Sequence, residues 1–237
     1  MSDRPLTLIT GGLRRLGAVI AARFAAAGHD LALVSPVDNE AEGDLAAALA
    51  AGGGGWAPFL CDLSVPENAA ALVMQVAEHF GRSPDNLVNN AAIFGQDDRH
   101  GMSPRTLAEH FTLNNFAPVL LARQLADAAG PEKPVSVVHI LDQRICNPHG
   151  DQLSYTLSKQ ALASSVRTLA TAFAPYVRVN GVAPGLVIET CDYDAAQLDR
   201  LSAMMPLSVL LRPENVADAV MYLTGAADVT GQILYVD

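Results

Sequence analysis

Short apolar runs alternate with longer segments of helical periodicity along almost the whole chain. The runs predicted as strands are residues 6–10, 30–34, 56–60, 86–89, 135–141, 177–182 and 232–236. The segments predicted as helices are residues 14–27, 40–51, 66–80, 104–129, 153–174 and 213–223. Pro118 is expected to bend or divide the segment 104–129. Because strands that alternate with helices form βαβ units, the pattern predicts an α/β fold with a doubly wound parallel sheet and helices on both faces.

Charge and composition exclude several classes of protein. Lys and Arg number 15 against 25 Asp and Glu, for a net charge of −10, which argues against a general nucleic-acid binder. The 3 cysteines form no Cys-x-x-Cys pair, and no His-Glu-x-x-His motif occurs, so neither a disulfide framework nor a bound metal is expected. No apolar stretch reaches the roughly 18 residues of a membrane helix, and no secretory signal precedes the first strand. We expect a soluble, cytoplasmic protein.

A glycine-rich turn links the first predicted strand to the first helix, in the sequence Thr-Gly-Gly-Leu-Arg-Arg-Leu-Gly from Thr10 to Gly17. Glycines at such a turn let the backbone approach a pyrophosphate, which then meets the free N–H groups of the helix. Arg14 and Arg15 place positive charge where the helix dipole disfavours it, so an anion is expected to offset the cost. The alternative is an ordinary tight turn with solvated arginines.

Tyr155 and Lys159 are four residues apart in a predicted helix and therefore share one face. An ammonium about 4 Å from a phenol stabilises the phenolate by up to about 4 kcal/mol, or about three pKa units. This predicts a Tyr155 pKa lowered toward neutrality, where the phenol can transfer a proton. Asp142 ends the strand 135–141, at the edge of the sheet where such folds bind ligands. The alternative is a chance pair of exposed helix residues.

Taken together, the motifs resemble those of the short-chain dehydrogenase/reductase superfamily over nearly the whole chain. The markers occur in the family order: Thr10-Gly11 to Gly17, Asp62, Asn89-Asn90-Ala91, Asn114, position 142, Tyr155, Lys159 and Pro184-Gly185. The resemblance implies a single Rossmann-type domain over residues 1–237, a sheet of about seven strands, a nicotinamide cofactor and usually a homotetramer.

The resemblance also implies roles for individual residues. Tyr155 would be the acid, Lys159 would bind the nicotinamide ribose and tune Tyr155, and Asn114 would anchor a proton-relay water. The further cofactor contacts that it implies are Gly11, Arg14, Arg15, Leu16, Ser35, Asp62, Leu63, Asn90, Ala91, Pro184, Gly185 and Val187.

Two departures from the family pattern resemble pteridine reductases and dihydromonapterin reductases. Arg15 replaces the middle glycine of the first turn, and Asp142 replaces the catalytic serine. Phe94 falls where those enzymes place an aromatic that sandwiches the pterin, so Arg15, Phe94, Asp142 and Tyr155 are the expected substrate contacts. Asp142 could share a proton with Tyr155, accept hydrogen bonds from the pterin, or be a turn residue only. Phe94 could instead pack beneath a lid, predicted at residues 190–212.

The stretch after the second strand, residues 35–39, lacks the basic residues with which such reductases bind the 2′-phosphate of NADPH. Arg14 occupies the position where NADP-dependent members carry a basic residue, and Ser35 can add a hydroxyl, so NADPH is favoured over NADH. Ala92 departs from the pterin pattern, in which a serine is frequent.

These residues favour NADPH-dependent reduction of a dihydropterin. The alternatives are a carbonyl or alcohol dehydrogenase of the same superfamily and a non-catalytic cofactor-binding subunit. His100 and His149 lie in loops near the predicted cleft, where either could touch substrate. Asp97 and Asp98 are interpreted as members of a polar loop and not as metal ligands, and His139 as a core histidine.

Overall fold

A computed structural model describes residues 3–37, 40–41, 43–187, 200, 202–203, 207–208 and 210–237. The strands are β1 (Leu6–Thr10), β2 (Asp30–Ser35), β3 (Trp56–Leu60), β4 (Asn86–Asn89), β5 (Val135–Ile140), β6 (Val177–Pro184) and β7 (Ile233–Val236). The main helices are α1 (Arg15–Ala26), α2 (Gly43–Gly52), α3 (Pro66–Phe80), α4 (Pro104–Phe111), α5 (Ala117–Asp127), α6 (Leu153–Ala172) and α7 (Pro213–Gly225).

The seven strands form one sheet in the order β3-β2-β1-β4-β5-β6-β7, and every pairing is parallel. This confirms the predicted single Rossmann-like sheet. The order reverses between β1 and β4, where Thr10 pairs with Val34 on one side and Asn89 on the other. The carboxyl ends of these strands therefore meet at one edge, where a doubly wound sheet binds its ligands.

Apolar side chains cover both faces of the sheet. In β1, Leu8 packs into a core cluster with helices α3 and α5, whereas Ile9 packs into a second cluster with α1 and α7. All five residues of β1 are buried, as are all six of β2. A strand covered on both sides has no solvent-exposed face, which explains why these strands are mostly apolar and do not alternate apolar with polar residues.

The predicted helix over residues 104–129 differs from the structure in its interior. A π-helical turn, Thr112–Phe116, separates α4 from α5, and Pro118 lies in the first turn of α5. The predicted interruption near Pro118 is confirmed: proline has no N–H to donate to the carbonyl four residues earlier, and that carbonyl belongs to Asn114 inside the π-helical turn. A π turn adds a residue to the hydrogen-bonded ring and is common at functional sites. Asn114 lies within this turn and is fully buried.

Two smaller predictions concern the start of helix α2 and the lid. Helix α2 begins at Gly43, later than the predicted residue 40. Most of the predicted lid, residues 190–212, lies outside the described residues, so the lid stays a prediction. None of the described helices combines the length and apolar character needed to span a membrane.

Candidate active site

The turn between β1 and α1 is tightly packed and needs its glycines. Gly11 has a φ of +63°, which L side chains rarely adopt. A Cβ on Gly17 would overlap the carbonyl oxygen of Gly11 and crowd the amide of Asn90. The turn therefore lies directly against the first helical turn, where backbone N–H groups are available to an anion.

Hydrogen bonds join this turn to the end of β4. The Asn90 amide donates to the carbonyl oxygens of Thr10 and Gly11, at 3.0 and 3.1 Å. The hydroxyl oxygen of Thr10 accepts from the backbone N–H groups of Asn90 and Ala91, both at 3.0 Å. The predicted cofactor residues Gly11, Asn90 and Ala91 thus lie together at the switch point of the sheet.

Arg14 and Arg15 stand exposed at the start of α1, beside Leu16. Arg15 has a φ of +51°, in the left-handed region where the family pattern has glycine. That conformation costs a non-glycine residue on the order of 1–2 kcal/mol, and such strain is concentrated at functional sites. Two cations, a glycine cradle and a helix N-terminus fit the anionic pyrophosphate of a dinucleotide.

The other predicted cofactor residues follow the carboxyl ends of their strands. Ser35 is buried at the end of β2, and its hydroxyl accepts from the N–H of Val37 at 3.3 Å. Asp62 follows β3 and precedes the buried Leu63, and hydrogen bonds from Ser64 lower the Asp62 pKa.

Three further predicted residues, Pro184, Gly185 and Val187, lie at the end of β6 and directly after it. The N–H of Gly185 donates to the carbonyl of Val236 at 2.8 Å, which holds the segment from Pro184 to the half-buried Val187 beside β7.

Asp142 and Tyr155 are directly hydrogen-bonded. The Tyr155 hydroxyl donates to Oδ2 of Asp142 at 2.7 Å, and the N–H of Arg144 donates to Oδ1 at 2.8 Å. Burial, the charge of Asp142 and this hydrogen bond raise the pKa of Tyr155 well above its ordinary value, although the charge of Arg144 acts in the opposite direction. The prediction of a Tyr155 pKa near neutrality was therefore wrong, because it considered Lys159 and neither burial nor Asp142.

Lys159 is buried beneath the tyrosine. Its Nζ donates to the carbonyl of Ile140 at 2.6 Å and lies 5.9 Å from the centroid of the Tyr155 ring. Burial lowers the Lys159 pKa from 10.5 to about 8, and the charge of Asp142 partly opposes this. The ammonium is thus held by β5, beside Tyr155 and Asp142.

Asn114 links the π-helical turn to two other segments. Its Oδ1 accepts from the N–H of Ile93 at 2.9 Å, and its Nδ2 donates to the carbonyl of Ile93 and to Ser158 Oγ at 3.0 and 3.1 Å. The side chain therefore fixes the loop after β4 against α6. Its role in a proton relay stays a prediction.

Phe94 is half exposed, at 53%, on the loop after β4. Its ring centroid lies 4.8 Å from that of Tyr155, with the ring planes at 75°. The structure therefore places the exposed aromatic ring beside the phenol, as the substrate prediction requires.

Comparison with known proteins identifies the family. A family model described as enoyl-(acyl carrier protein) reductase matches residues 12–237. The chain belongs to the short-chain dehydrogenase/reductase superfamily. A crystal structure of FolM alternative dihydrofolate reductase 1 from Brucella canis, complexed with NADP, is similar to this short-chain reductase. The TM-score is 0.87 and the identity 30%, over 98% of this chain and 92% of that one.

Two curated relatives of this short-chain reductase differ in their named activities. A protein named as ketoacyl reductase 2 of the granaticin polyketide synthase, from Streptomyces violaceoruber, is 32% identical, over 99% of this chain and 95% of its own length. Dihydromonapterin reductase from Enterobacter sp. (strain 638) is 27% identical, over 99% of this chain and 95% of its own length. The protein is thus a short-chain oxidoreductase of the class that uses NAD(P)-type cofactors.

The prediction that His139 of this short-chain reductase is a core histidine is confirmed, but its contacts and those of the half-buried Asp97 lay beyond the sequence patterns. His139 of β5 is fully buried with its Nδ1 3.1 Å from the Asn89 amide, and burial together with the Lys159 charge lowers the His139 pKa to about 3. Asp97 contacts Ser154, 57 residues later in the chain. Only long-range contacts show these links, since no local motif marks either residue. Among the described residues, no group of three or more His, Cys, Asp and Glu is arranged to hold a metal ion.

Proposed function

We propose that this protein is an NADPH-dependent reductase that converts a dihydropterin, of the dihydromonapterin, dihydrobiopterin or dihydrofolate type, to its tetrahydro form. The observation that carries the proposal is the contact of Tyr155 with both Asp142 and Phe94. A protonated phenol, a carboxylate and an exposed aromatic ring meet at one point, within 2.7 Å for the hydrogen bond and 4.8 Å for the ring centroids.

The cofactor would lie along the carboxyl edge of the sheet. Arg14, Arg15 and the N-terminus of α1 would hold its phosphates, and Ser35 at the end of β2 would face the adenosine ribose. The remaining residues expected to line it are Gly11, Leu16, Asp62, Leu63, Asn90, Ala91, Tyr155, Lys159, Pro184, Gly185 and Val187. When bound, the nicotinamide supplies the hydride for reduction.

Reduction of a ring C=N bond also needs a proton for the nitrogen, and Tyr155 is suited to supply it. Its raised pKa keeps the phenol protonated at neutral pH. The hydrogen bond to Asp142 Oδ2 holds the Tyr155 oxygen in place, and the N–H of Arg144 orients the other carboxylate oxygen. To reach the substrate nitrogen, the hydroxyl would turn its hydrogen away from Asp142. Asp142 as an anion can also accept hydrogen bonds from the amino and ring N–H groups of a pterin.

A flat heteroaromatic substrate would stack on Phe94. Half of this side chain is exposed although it contacts Tyr155, so one part of the ring is available to a ligand. The similarity to a dihydromonapterin reductase and to the Brucella dihydrofolate reductase structure with NADP supports both the pterin and the choice of NADPH over NADH.

Carbonyl reduction is the second candidate. It is favoured by the similarity to a protein named as a ketoacyl reductase, at 32% identity. Tyr155 and Lys159 would serve a ketone as well as a pterin. Asp142 and Phe94 discriminate between the two, because a ketone needs neither a stacking ring nor an acceptor for amino N–H groups.

A substrate panel tests the proposal. The purified protein is mixed with NADPH or NADH and either 7,8-dihydropterins or ketones and acyl thioesters, and loss of reduced-cofactor absorbance is followed. We expect turnover with a dihydropterin and faster turnover with NADPH than with NADH. Good turnover of ketones with none of any dihydropterin would reject the proposal. Cofactor binding with no turnover on either panel would instead indicate a non-catalytic subunit.

We also propose that the protein forms a homotetramer. Phe116 and Leu157 are 51% and 42% exposed on the π-helical turn and on α6, which contact each other. Large exposed apolar side chains of this kind are typical of interfaces. Light scattering of the purified protein measures the mass of the assembly, and any assembly of other than four chains would contradict the proposal.

A further inference from the structure

We propose that Asp97 is a positioning residue that fixes the Phe94 ring against Tyr155 by attaching its loop to the start of α6. The inference rests on the proposed function, since it assigns the attachment a role in binding the pterin. It concerns a residue that the sequence placed only in a polar loop.

The first observation is the contact between the Asp97 carboxylate and Ser154. Oδ1 accepts from the backbone N–H of Ser154 at 3.1 Å, and Oδ2 accepts a short hydrogen bond from the Ser154 hydroxyl. The carbonyl oxygen of Asp97 accepts from the N–H of Leu153 at 3.4 Å. Ser154 is fully buried and immediately precedes Tyr155, so the loop is attached next to the expected acid.

The second observation is that α6 obtains its cap from this loop. Gln152, the residue before the helix, has a φ of +53°, and its own side chain does not cap α6 among the described contacts. The Asp97 carboxylate instead accepts from an N–H in the first turn, which a helix N-terminus otherwise leaves unbonded. Its negative charge also suits the positive end of the helix dipole. The loop that carries Phe94 is therefore fixed to the first turn of α6.

The third observation is that Phe94 is exposed although its neighbours on both sides are held. Ile93 forms two hydrogen bonds with Asn114, at 2.9 and 3.0 Å. Gly95 lies so close to the buried His110 that a Cβ would come within 3.0 Å of its ring. Asp97 completes the attachment on the far side of Phe94. An exposed aromatic ring on a loop held in this way is preorganised for a ligand.

Preorganisation explains why the attachment would matter for the substrate. A ring that is already in place loses little conformational freedom when a flat ligand stacks on it. If the attachment is lost, the loop must be ordered at the expense of binding free energy. We therefore expect Asp97 to affect the affinity for the pterin, and not the proton transfer by Tyr155.

The test compares Asp97→Ala, Asp97→Asn and the control Asp98→Ala. Asn keeps an oxygen that can accept from Ser154, so it should rescue most of the effect. The Asp98 carboxylate accepts only within its own turn in the described structure, from the N–H groups of His100 and Gly101 at 2.8 and 2.9 Å, and the backbone bridge between Asp98 and Asp151 does not involve its side chain. It therefore controls for the loss of a loop carboxylate that is not attached to α6.

We expect Asp97→Ala to raise KM for the dihydropterin about tenfold, with kcat changed less than about threefold and KM for NADPH unchanged within about twofold. In a Phe94→Ala background the same substitution should change KM less than about twofold, because residues that act through one contact are not additive. Full additivity of the two substitutions, or an unchanged KM in Asp97→Ala, would overturn the inference.

Hydrogen exchange provides a measurement that does not depend on turnover. Amides of residues 93–103 should exchange at least about tenfold faster in Asp97→Ala than in the wild type and in Asp98→Ala. Unchanged exchange in this segment would overturn the attachment itself. Absence of dihydropterin turnover in the wild type would reject the proposed function, while the exchange result would still decide whether Asp97 holds the loop.

Discussion

The Tyr155 hydroxyl donates to Oδ2 of Asp142 across 2.7 Å, and this bond determines how the site can handle a proton. A phenol beside a carboxylate loses its proton less readily, and burial acts in the same direction. Tyr155 therefore carries its proton at neutral pH, which is the protonation state that a proton donor needs, although the raised pKa makes the phenol a weaker acid. Lys159 lies beneath the ring, where its ammonium is bound to the carbonyl of Ile140.

Replacing the acid should abolish most of the activity. We expect Tyr155→Phe to lower kcat by about 10²-fold or more, since general acid catalysis contributes that much. Binding of NADPH, measured by calorimetry, should change little because the contact between Lys159 and Ile140 does not involve the hydroxyl. The exposed Tyr176 provides a control in Tyr176→Phe. Full activity of Tyr155→Phe would remove the residue from this role.

Replacing the carboxylate should separate substrate turnover from cofactor binding. In Asp142→Ser the Tyr155 hydroxyl loses its anionic acceptor, and the pterin loses an acceptor for its N–H groups. We expect kcat/KM for the dihydropterin to fall by about tenfold or more, with the NADPH Kd nearly unchanged. If kcat/KM for the dihydropterin and the affinity for NADPH fall by the same factor, Asp142 has a structural role only.

Deprotonation of Lys159 should cause the decline of kcat/KM at alkaline pH. Its pKa is lowered by burial to about 8, so the ammonium is lost as the pH rises through that value. Tyr155, with its raised pKa, stays protonated over the same range. We expect kcat/KM to decline above about pH 8, and Lys159→Arg to move this decline to higher pH because arginine keeps its charge. An identical decline in both proteins would contradict the assignment.

The decrease in the free energy of unfolding at acid pH should depend on His139. Burial lowers its pKa from 6.5 to about 3, so the unfolded chain binds this proton at a higher pH than the folded protein does. The free energy of unfolding should therefore fall as the pH drops from 6.5 toward 3, by up to about 5 kcal/mol. Urea unfolding of the wild type and of His139→Asn at several pH values measures this. An equally steep decline in His139→Asn would show that other groups cause it, and the exposed His100→Ala is the control.

Arg15 should lower the free energy of unfolding slightly and raise the affinity for NADPH. Its φ of +51° favours glycine, so Arg15→Gly should leave the free energy of unfolding unchanged or raise it by up to about 1 kcal/mol. KM for NADPH should rise about tenfold because a cation beside the phosphates is lost. As a control, Arg23→Gly in the last turn of α1, where Arg23 also pairs with Asp218 at 2.7 Å, should lower the stability by about 1 kcal/mol without this effect on KM. An unchanged KM in Arg15→Gly would exclude the phosphate contact.

The amino-acid sequence by itself determined the sheet and the order of its elements. Strand β1 and helix α3 have the predicted bounds at both ends. This agreement has a local cause: strands buried on both faces need continuous apolar runs, and Pro66 and Gly81 mark the two ends of α3. The same local reasoning predicted that Asp142 ends its strand at the ligand-binding edge of the sheet and that Tyr155 lies in the helix that follows.

Tertiary structure alone decided the properties that depend on burial and on distant contacts. The Tyr155 pKa is raised and not lowered, because desolvation and Asp142 outweigh any cation nearby. The π-helical turn around Asn114 and the attachment of Asp97 to Ser154 join segments far apart in the chain. Periodicity and motif spacing report only local properties. The dielectric surroundings of a group, and its partners from other segments, exist only once the chain has packed.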